Sequence, residues 1–272
     1  MLKLLISAEN AEFQIIHSLK SNRSKRSKLG EAFIEGIESI KQAINAGAEI
    51  TRVIVREPDK LSDWAKMQID HLSGKFPKMK IIEMSDELFR KLSSKEELSE
   101  MLLTVKIKYY TLDDITDAYP FLLLIDRPSD HGNLGSIIRS ANAFGVNAIL
   151  LMGHGVDAYE AKVIRASIGS IFFTKLIAVE SMEELSSFIL AQKAKCKMVI
   201  AGTDSGGDLS LSDVRLKRPL MLIIGNEAKG MSKSLKEVCD NIVSIPLKGN
   251  VNSLNVSSAA SILMWEVYKN GG

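Results

Sequence analysis

The side chains of this sequence that could do chemistry are concentrated in loops that follow buried, strand-like runs. Leu220 to Ile224 is continuously apolar and stops at the polar stretch from Gly225 to Ser232. Backbone N–H groups in this stretch could hold an adenine or a ribose, and Glu227 is either an active-site acid or a helix-start carboxylate. The glycines and the serine are similar to those of a phosphate-binding P-loop, but Met231 stands where that motif needs lysine. A nucleotide hydrolase is therefore rejected.

A second strand-like run, Val243 to Leu247, also ends in a loop of small polar residues. The loop contains Ser253 and Asn255, which either cap the apolar helix that follows or present polar groups to a ligand. Open α/β sheets usually bind their ligands beyond the carboxyl ends of the strands. The stretch from Pro219 to Trp265 is therefore the predicted active centre.

A third loop follows the apolar run Phe121 to Ile125 and leads into a predicted helix that begins near Asn133. Arg139 lies in the second turn of that helix, off its apolar stripe. An arginine at such a position is usually a surface charge. The glycine- and asparagine-bearing loop before it also favours a contact with an anion or a ribose.

Strands that alternate with helices must position these loops. Four buried runs predict a parallel sheet with crossover helices in the C-terminal part of the chain: Phe121 to Ile125, Asn147 to Leu151, Lys197 to Ile200 and Leu220 to Ile224. Shorter strands and helices before residue 108 predict a small α/β domain. Because Tyr109 to Asp117 is polar and acidic, we place a linker there and predict domains at 1–112 and 118–272.

Composition excludes several classes of protein. The 272 residues carry a net charge of +2, so a nucleic-acid footprint must be local rather than global. Cys196 and Cys239 are too few for a disulfide framework and are typical of thiols in a reducing compartment. No spacing of His, Asp or Glu makes a metal site, and no apolar run reaches the roughly 20 residues of a membrane helix. We therefore expect a cytoplasmic protein without metal or membrane partners.

One segment, Lys20 to Lys28, is strongly basic and has no acidic residue. It is interpreted either as a solvated loop or as a loop whose lysines and arginines neutralise RNA phosphates. The residues that would contact RNA are Arg23, Lys25, Arg26 and Lys28.

Three segments in this order resemble the SpoU/TrmH branch of the SPOUT RNA methyltransferases. They are Asn133 to Ala141, Ile224 to Ser232 with Ile245-Pro246, and Asn252 to Ser257. The match covers roughly Pro120 to Tyr268, and the N-terminal part is similar to the small α/β RNA-binding domain that often precedes this catalytic domain. The resemblance implies a SPOUT fold with a C-terminal trefoil knot, a homodimer, and methyl transfer from S-adenosylmethionine to a ribose 2′-hydroxyl of RNA.

The resemblance also implies roles for single residues. The catalytic set is Arg139, Asn133, Glu227 and Asn255. The cofactor set is Thr203, Gly225, Ile245, Ser253 and Leu254. Arg165 is similar to an arginine near the RNA side. One departure is His131-Gly132, where the family commonly has a proline.

The reaction needs alignment of the methyl group with the 2′-oxygen and help with deprotonation. A guanidinium, with a pKa above ~12, is a poor base. We therefore expect Arg139 to hold a phosphate and stabilise the developing alkoxide while another group or water takes the proton. Ribosomal RNA is the favoured substrate over tRNA. A non-catalytic RNA-binding or ribosome-assembly protein is the alternative from another class.

Overall fold

The computed structural model describes residues 2–94 and 98–271, whose contacts divide the chain into two compact units. The first unit comprises Met1–Lys108 and Asp157–Phe172, and the second comprises Tyr109–Val156 and Phe173–Gly272. The break after Lys108 lies at the start of the expected linker. The segment Asp157–Phe172, which the sequence-based division assigns to the second domain, packs within the first unit.

The first unit is built on a mixed five-stranded sheet of order β1-β4-β3-β5-β2, in which β5 runs antiparallel to both β3 and β2. Its elements up to residue 108 are β1 (Leu2–Ile6), α1 (Ala11–Ser21), α2 (Arg23–Leu29), β2 (Glu31–Ile34), α3 (Ile37–Asn45), β3 (Ile50–Val55), α4 (Asp63–Lys75), β4 (Lys80–Met84), α5 (Asp86–Leu92) and β5 (Met101–Lys106).

The basic segment Lys20 to Lys28 is helical: its first two residues end α1, and the residues from Arg23 onward lie in α2. Its interpretation as a loop is wrong. The Asn22 side chain accepts a hydrogen bond from the Lys25 N–H at 3.0 Å and caps the start of α2. Gly30, in the left-handed conformation with φ 61°, ends it. Arginine and lysine are good helix formers between two such caps. The basic charges therefore project from a helix with a fixed buried side.

The second unit contains a seven-stranded sheet of order β10-β12-β9-β11-β6-β7-β8, and every strand pairing described in it is parallel. The remaining elements of the chain are β6 (Phe121–Asp126), α6 (His131–Ala143), β7 (Ala148–Met152), α7 (Ala161–Ala166, in the first unit), β8 (Leu176–Val179), α8 (Met182–Cys196), β9 (Val199–Thr203), β10 (Leu209–Ser210), β11 (Leu220–Ile224), α9 (Lys233–Glu237), β12 (Asn241–Ser244) and α10 (Val256–Lys269).

The core of the second unit surrounds the central strands β6 and β11, which are buried along their whole length. β11 is apolar throughout and β6 is apolar as far as Ile125, because both faces of a parallel sheet are covered. The four predicted strands are present. The predicted run Val243 to Leu247 contributes only its first two residues, to β12, and the short strands β8 and β10 complete the sheet. Since all the strands are parallel, the loops after β6, β9, β11 and β12 lie at one edge. No helix among residues 2–94 and 98–271 has the length and apolarity needed to cross a bilayer.

Candidate active site

A cavity of about 770 Å³ lies at the carboxyl edge of the second unit's sheet. The loops after β9, β11 and β12 form its walls, together with the start of α10. All five residues of the predicted cofactor set line it, as does one of the predicted catalytic set: Thr203, Gly225, Ile245, Ser253, Leu254 and Glu227. The tertiary structure thus brings together residues that are more than 50 positions apart in sequence.

The wall beside Gly225 consists of backbone. A Cβ atom at Gly225 would lie 2.4 Å from the Met231 nitrogen and 2.5 Å from the Gly230 carbonyl carbon. Those distances are shorter than any real contact of a Cβ atom. Glycine is required here because the loop after β11 folds back on its own first residue.

Asn226 holds that loop in its tight turn. Its N–H donates to the Gly230 carbonyl at 3.1 Å, and the Gly230 N–H returns a hydrogen bond to the Asn226 carbonyl at 2.9 Å. The Asn226 Oδ1 accepts from the N–H groups of Ala228 and Lys229. The backbone donors on the inner side of the turn are therefore already paired, and the turn has a defined shape before any ligand binds.

Glu227 is anchored by the loop after β6. Its Oε2 accepts hydrogen bonds from the Ser129 hydroxyl and from the Ser129 N–H, the latter at 3.2 Å. These contacts orient the carboxylate at the rim of the cavity. Ser129 was not among the predicted site residues, although it follows a buried strand as several of them do.

Asn133 and Asn255 meet at the starts of α6 and α10. The Asn255 Nδ2 donates to the Asn133 Oδ1 at 3.0 Å, while the Asn255 Oδ1 caps α10 by accepting from the Ser257 N–H at 2.8 Å. Neither asparagine lines the cavity, but the two neighbours of Asn255, Leu254 and Val256, do. The pair therefore lies beside the rim and joins two helix N-termini, where the helix dipoles favour negative charge.

Arg139 is exposed on α6, outside the lining of the cavity. Among the described residues, none forms a hydrogen bond or an ion pair with it. Its guanidinium is thus available to an anionic ligand.

A further carboxylate inside the cavity, Asp204, has no counterpart in the predicted set. It accepts hydrogen bonds from the Lys236 Nζ at 2.6 Å and from the Gly206 N–H at 3.0 Å. The hydrogen bond from Lys236 lowers the pKa of Asp204 below its usual range. The carboxylate is therefore ionised at neutral pH.

The predicted RNA contacts in the first unit divide into exposed and buried side chains. Arg23, Lys25 and Lys28 are exposed on α2. Arg26 is 1% exposed; its Nε donates to Asp157 at 2.7 Å and its Nη1 to the Leu19 carbonyl at 2.9 Å. The prediction for Arg26 is wrong, because a guanidinium buried in ion pairs does not face a phosphate backbone.

Arg165, on α7, keeps 40% of its side chain exposed and lies 3.6 Å from the Glu35 Oε2. Glu35 itself is buried and accepts hydrogen bonds from the Ser93 hydroxyl and the Ser94 N–H. Arg165 is therefore only partly neutralised and remains accessible. Residues 2–94 and 98–271 contain no group of three or more His, Cys, Asp or Glu side chains that could hold a metal ion.

Comparison with known proteins identifies the family of this chain. The model of the SpoU rRNA Methylase family matches residues 120–265, which is more than half of the chain, and that of the SpoU L30e-like domain matches residues 10–104. The chain belongs to the SpoU rRNA methylase family. The predicted family, fold class and enzyme class are thereby confirmed.

Similar proteins match this chain over most of its length. A 23S rRNA (uridine(2479)-2′-O)-methyltransferase of Streptomyces viridochromogenes is 34% identical over 97% of this chain and 91% of its own length. The crystal structure of the SpoU methyltransferase AviRb from the same organism, in complex with AdoMet, superposes with a TM-score of 0.88 over 96% of this chain and 98% of that one. A putative TrmH family tRNA/rRNA methyltransferase of Staphylococcus epidermidis is 28% identical over 87% of this chain and 94% of its length.

Proposed function

We propose that this SpoU-family enzyme transfers a methyl group from S-adenosylmethionine to a ribose 2′-hydroxyl of ribosomal RNA. The observation that carries the proposal is the cavity at the carboxyl edge of the sheet, which collects the predicted cofactor residues beside Glu227 and the Asn133–Asn255 pair. Family membership and the similarity to a 23S rRNA 2′-O-methyltransferase support the reaction and the substrate class.

The cavity fits the cofactor in size and chemistry. Its volume of about 770 Å³ lies within the range of small-molecule sites. Gly225, where a side chain has no room, presents bare backbone on which a flat adenine or a ribose can lie. S-adenosylmethionine supplies an electrophilic methyl group on a positively charged sulfonium. Two carboxylate side chains line the cavity: Asp204, whose charge is paired with Lys236, and Glu227. Their oxygens suit a cationic ligand.

Arg139 acts on the RNA rather than on the cofactor. It is exposed, it has no partner among the described residues, and it lies outside the cavity. A guanidinium with a pKa above ~12 stays charged, so it holds a phosphate and stabilises the oxygen as it loses its proton. Asn133 and Asn255 hold the starts of α6 and α10 together and so orient the helix that carries Arg139.

The first unit supplies contacts to RNA phosphates through the exposed cations of α2, with Arg165 as a further contact. Arg23, Lys25 and Lys28 project into solvent from this helix. The net charge of the whole chain is only +2, so these local charges provide an attraction that depends on salt concentration.

The enzyme works as a homodimer, and the support is an exposed aromatic surface on α6 and α10. Phe144, Trp265 and Tyr268 contact one another with ring centroids 5.7–6.1 Å apart. Trp265 and Tyr268 nevertheless remain 48% and 49% exposed, which is unusual for large aromatic side chains. Sedimentation equilibrium should give twice the 29.9 kDa of the chain. A monomer mass for the wild type would contradict the proposed homodimer.

A trefoil knot in the second unit and a cytoplasmic location belong to the same proposal.

The decisive experiment is transfer of labelled methyl from S-adenosylmethionine to total rRNA and, separately, to total tRNA. We expect label in rRNA, in an alkali-resistant linkage that identifies 2′-O-methylation. Arg139→Ala should lower the rate by at least about 100-fold while cofactor binding, measured by calorimetry, stays within about twofold.

Other outcomes separate the alternatives. Label in tRNA alone would overturn the rRNA assignment but keep the reaction. Cofactor binding without label in either pool would point to an RNA present only during ribosome assembly. A wild-type protein that binds RNA but no cofactor would support the non-catalytic alternative and overturn the enzyme.

A further inference from the structure

Arg127, directly after β6, adopts a backbone conformation that is rare for its residue type. Its φ of +49° lies in the left-handed region, which favours glycine. Residues other than glycine stay in this conformation only where the surrounding structure fixes them, and such positions cluster at functional sites. The contacts of Arg127 show which residues fix its backbone and which loop its side chain holds.

The side chain of Arg127 forms a two-pronged ion pair with Asp126, the last residue of β6. Its Nε and Nη2 donate to the two carboxylate oxygens at 2.8 and 2.7 Å. Asp126 is only 3% exposed, and the hydrogen bond to it raises the pKa of Arg127. The pair is therefore a planar, two-pronged contact of the kind that lysine cannot reproduce.

Both partners of this ion pair also bind the loop after β11. The Asp126 Oδ2 accepts from the Ser232 N–H at 2.9 Å. The Arg127 Nη2 donates to the Gly230 carbonyl at 3.3 Å, and the Arg127 carbonyl accepts from the Asn226 Nδ2 at 2.7 Å. The left-handed turn at Arg127 is thus tied to the first, fifth and seventh residues of the segment 226–232.

The opposite side of Arg127 is fixed as firmly. Its N–H donates to the Met152 carbonyl at the end of β7, at 2.8 Å. A Cβ atom at Gly153 would lie 2.6 Å from the Arg127 Cγ, so the arginine stem packs directly on a bare glycine. Arg127 therefore links the ends of β6 and β7 to the loop after β11.

We propose that Arg127 is a positioning residue: its ion pair with Asp126 clamps the segment 226–232, so that the cavity wall and Glu227 are in place before the cofactor binds. The inference rests on the proposed function in one respect, that the cofactor occupies this cavity. Arg127 itself does not line the cavity and acts through Asn226, Gly230 and Ser232. A preformed wall lowers the ordering cost of binding, so its loss weakens affinity.

The first test is hydrogen exchange on the cofactor-free protein, with Arg127→Lys compared with Arg215→Lys. Arg215 is an exposed arginine of the same unit and serves as the matched control. In Arg127→Lys we expect exchange about tenfold faster at the amides of Ala228, Lys229, Gly230 and Ser232, with the strand amides of 220–224 unchanged. The control should exchange like the wild type.

The second test is calorimetry with S-adenosylmethionine on the same proteins. Arg127→Lys should raise the Kd about tenfold, and the KM for cofactor should rise in parallel while kcat stays within about threefold. A purely structural role would lower the amount of folded protein without separating KM from kcat. If Arg127→Lys does not fold, the same two measurements are made on Asp126→Asn, which keeps the shape of the side chain and removes its charge. We expect the same faster exchange and the same higher Kd.

Three results would overturn the inference. The first is exchange at the wild-type rate in the segment 226–232, and the second is exchange accelerated equally in the strands. The third is a loosened segment with an unchanged Kd, because the clamp would then not serve the cofactor. A wild-type protein that binds no cofactor would instead contradict the proposed function, while the exchange result would still report on the clamp.

Discussion

The cofactor cavity and the basic helix α2 differ in how well their parts could be recognised in the sequence. All five residues predicted to hold the cofactor line one cavity. Of the four cations predicted in the basic segment to contact RNA, Arg26 is buried in ion pairs with Asp157 and lies against Glu160. The first prediction concerned where strands end, and the second concerned which way side chains point.

A site made of strand ends and glycine turns can be recognised in a sequence more easily than a site made of exposed charges. The wall of the cavity beside Gly225 is backbone, and the lining residues are placed by the parallel strands that they follow. A glycine such as Gly225, placed directly after a buried strand, indicates in the sequence that another backbone segment approaches closely there. In a run of cations, the sequence does not indicate which side chain is buried. Burial depends on which face of the helix meets a distant acidic residue, here Asp157.

The largest expected effect tests the buried member of the basic segment. Arg26→Met should lower the free energy of unfolding by about 3 kcal/mol, because it leaves the Asp157 carboxylate without its partner in a poorly solvated position. Lys25→Met, one position away and exposed, should change it by less than about 0.5 kcal/mol. Urea denaturation of the full chain measures both. Equal stability of the two variants would show that Arg26 is not structural.

The next effect tests the backbone wall of the cavity. Gly225→Ala should weaken S-adenosylmethionine binding by roughly 100-fold, close to the ~3 kcal/mol cost of overpacking, because the new Cβ collides with the backbone of residues 230 and 231. Gly74→Ala is the matched control, since its Cβ would meet open space. Calorimetry compares the two. Wild-type affinity in Gly225→Ala would contradict the placement of the cofactor against this wall.

The smallest effect tests the exposed members of α2. Lys25→Met should weaken RNA binding by a few-fold and reduce the slope of log affinity against log salt by about 1, as expected for loss of one phosphate contact. Filter binding at several salt concentrations measures the slope. Arg26→Met, assayed at a temperature where it is folded, should keep the wild-type slope. A reduced slope for Arg26→Met and an unchanged one for Lys25→Met would reverse the assignment.

Much of the fold follows from local patterns in the sequence. The runs that became β6 and β11 are apolar because both faces of the strands are covered, and such runs are easily recognised. The helix α5 (Asp86–Leu92) has two acidic residues in its first turn, a pattern that is typical of the start of a helix. The four-residue strand β8 was missed, since its Leu176–Val179 run is too short to distinguish from a loop.

The family, the parallel sheet and the residues at its carboxyl edge could be predicted from the sequence, because apolar runs and glycine-rich turns act through local backbone geometry. Three features became visible only in the folded protein: the burial of Arg26, the packing of the segment Asp157–Phe172 in the first unit, and the binding of Arg127 to the loop after β11. Each of these depends on contacts between residues roughly 100 or more positions apart. No local pattern encodes such contacts. The residues next to a charged side chain in the sequence do not indicate whether that side chain will contact water or a distant residue.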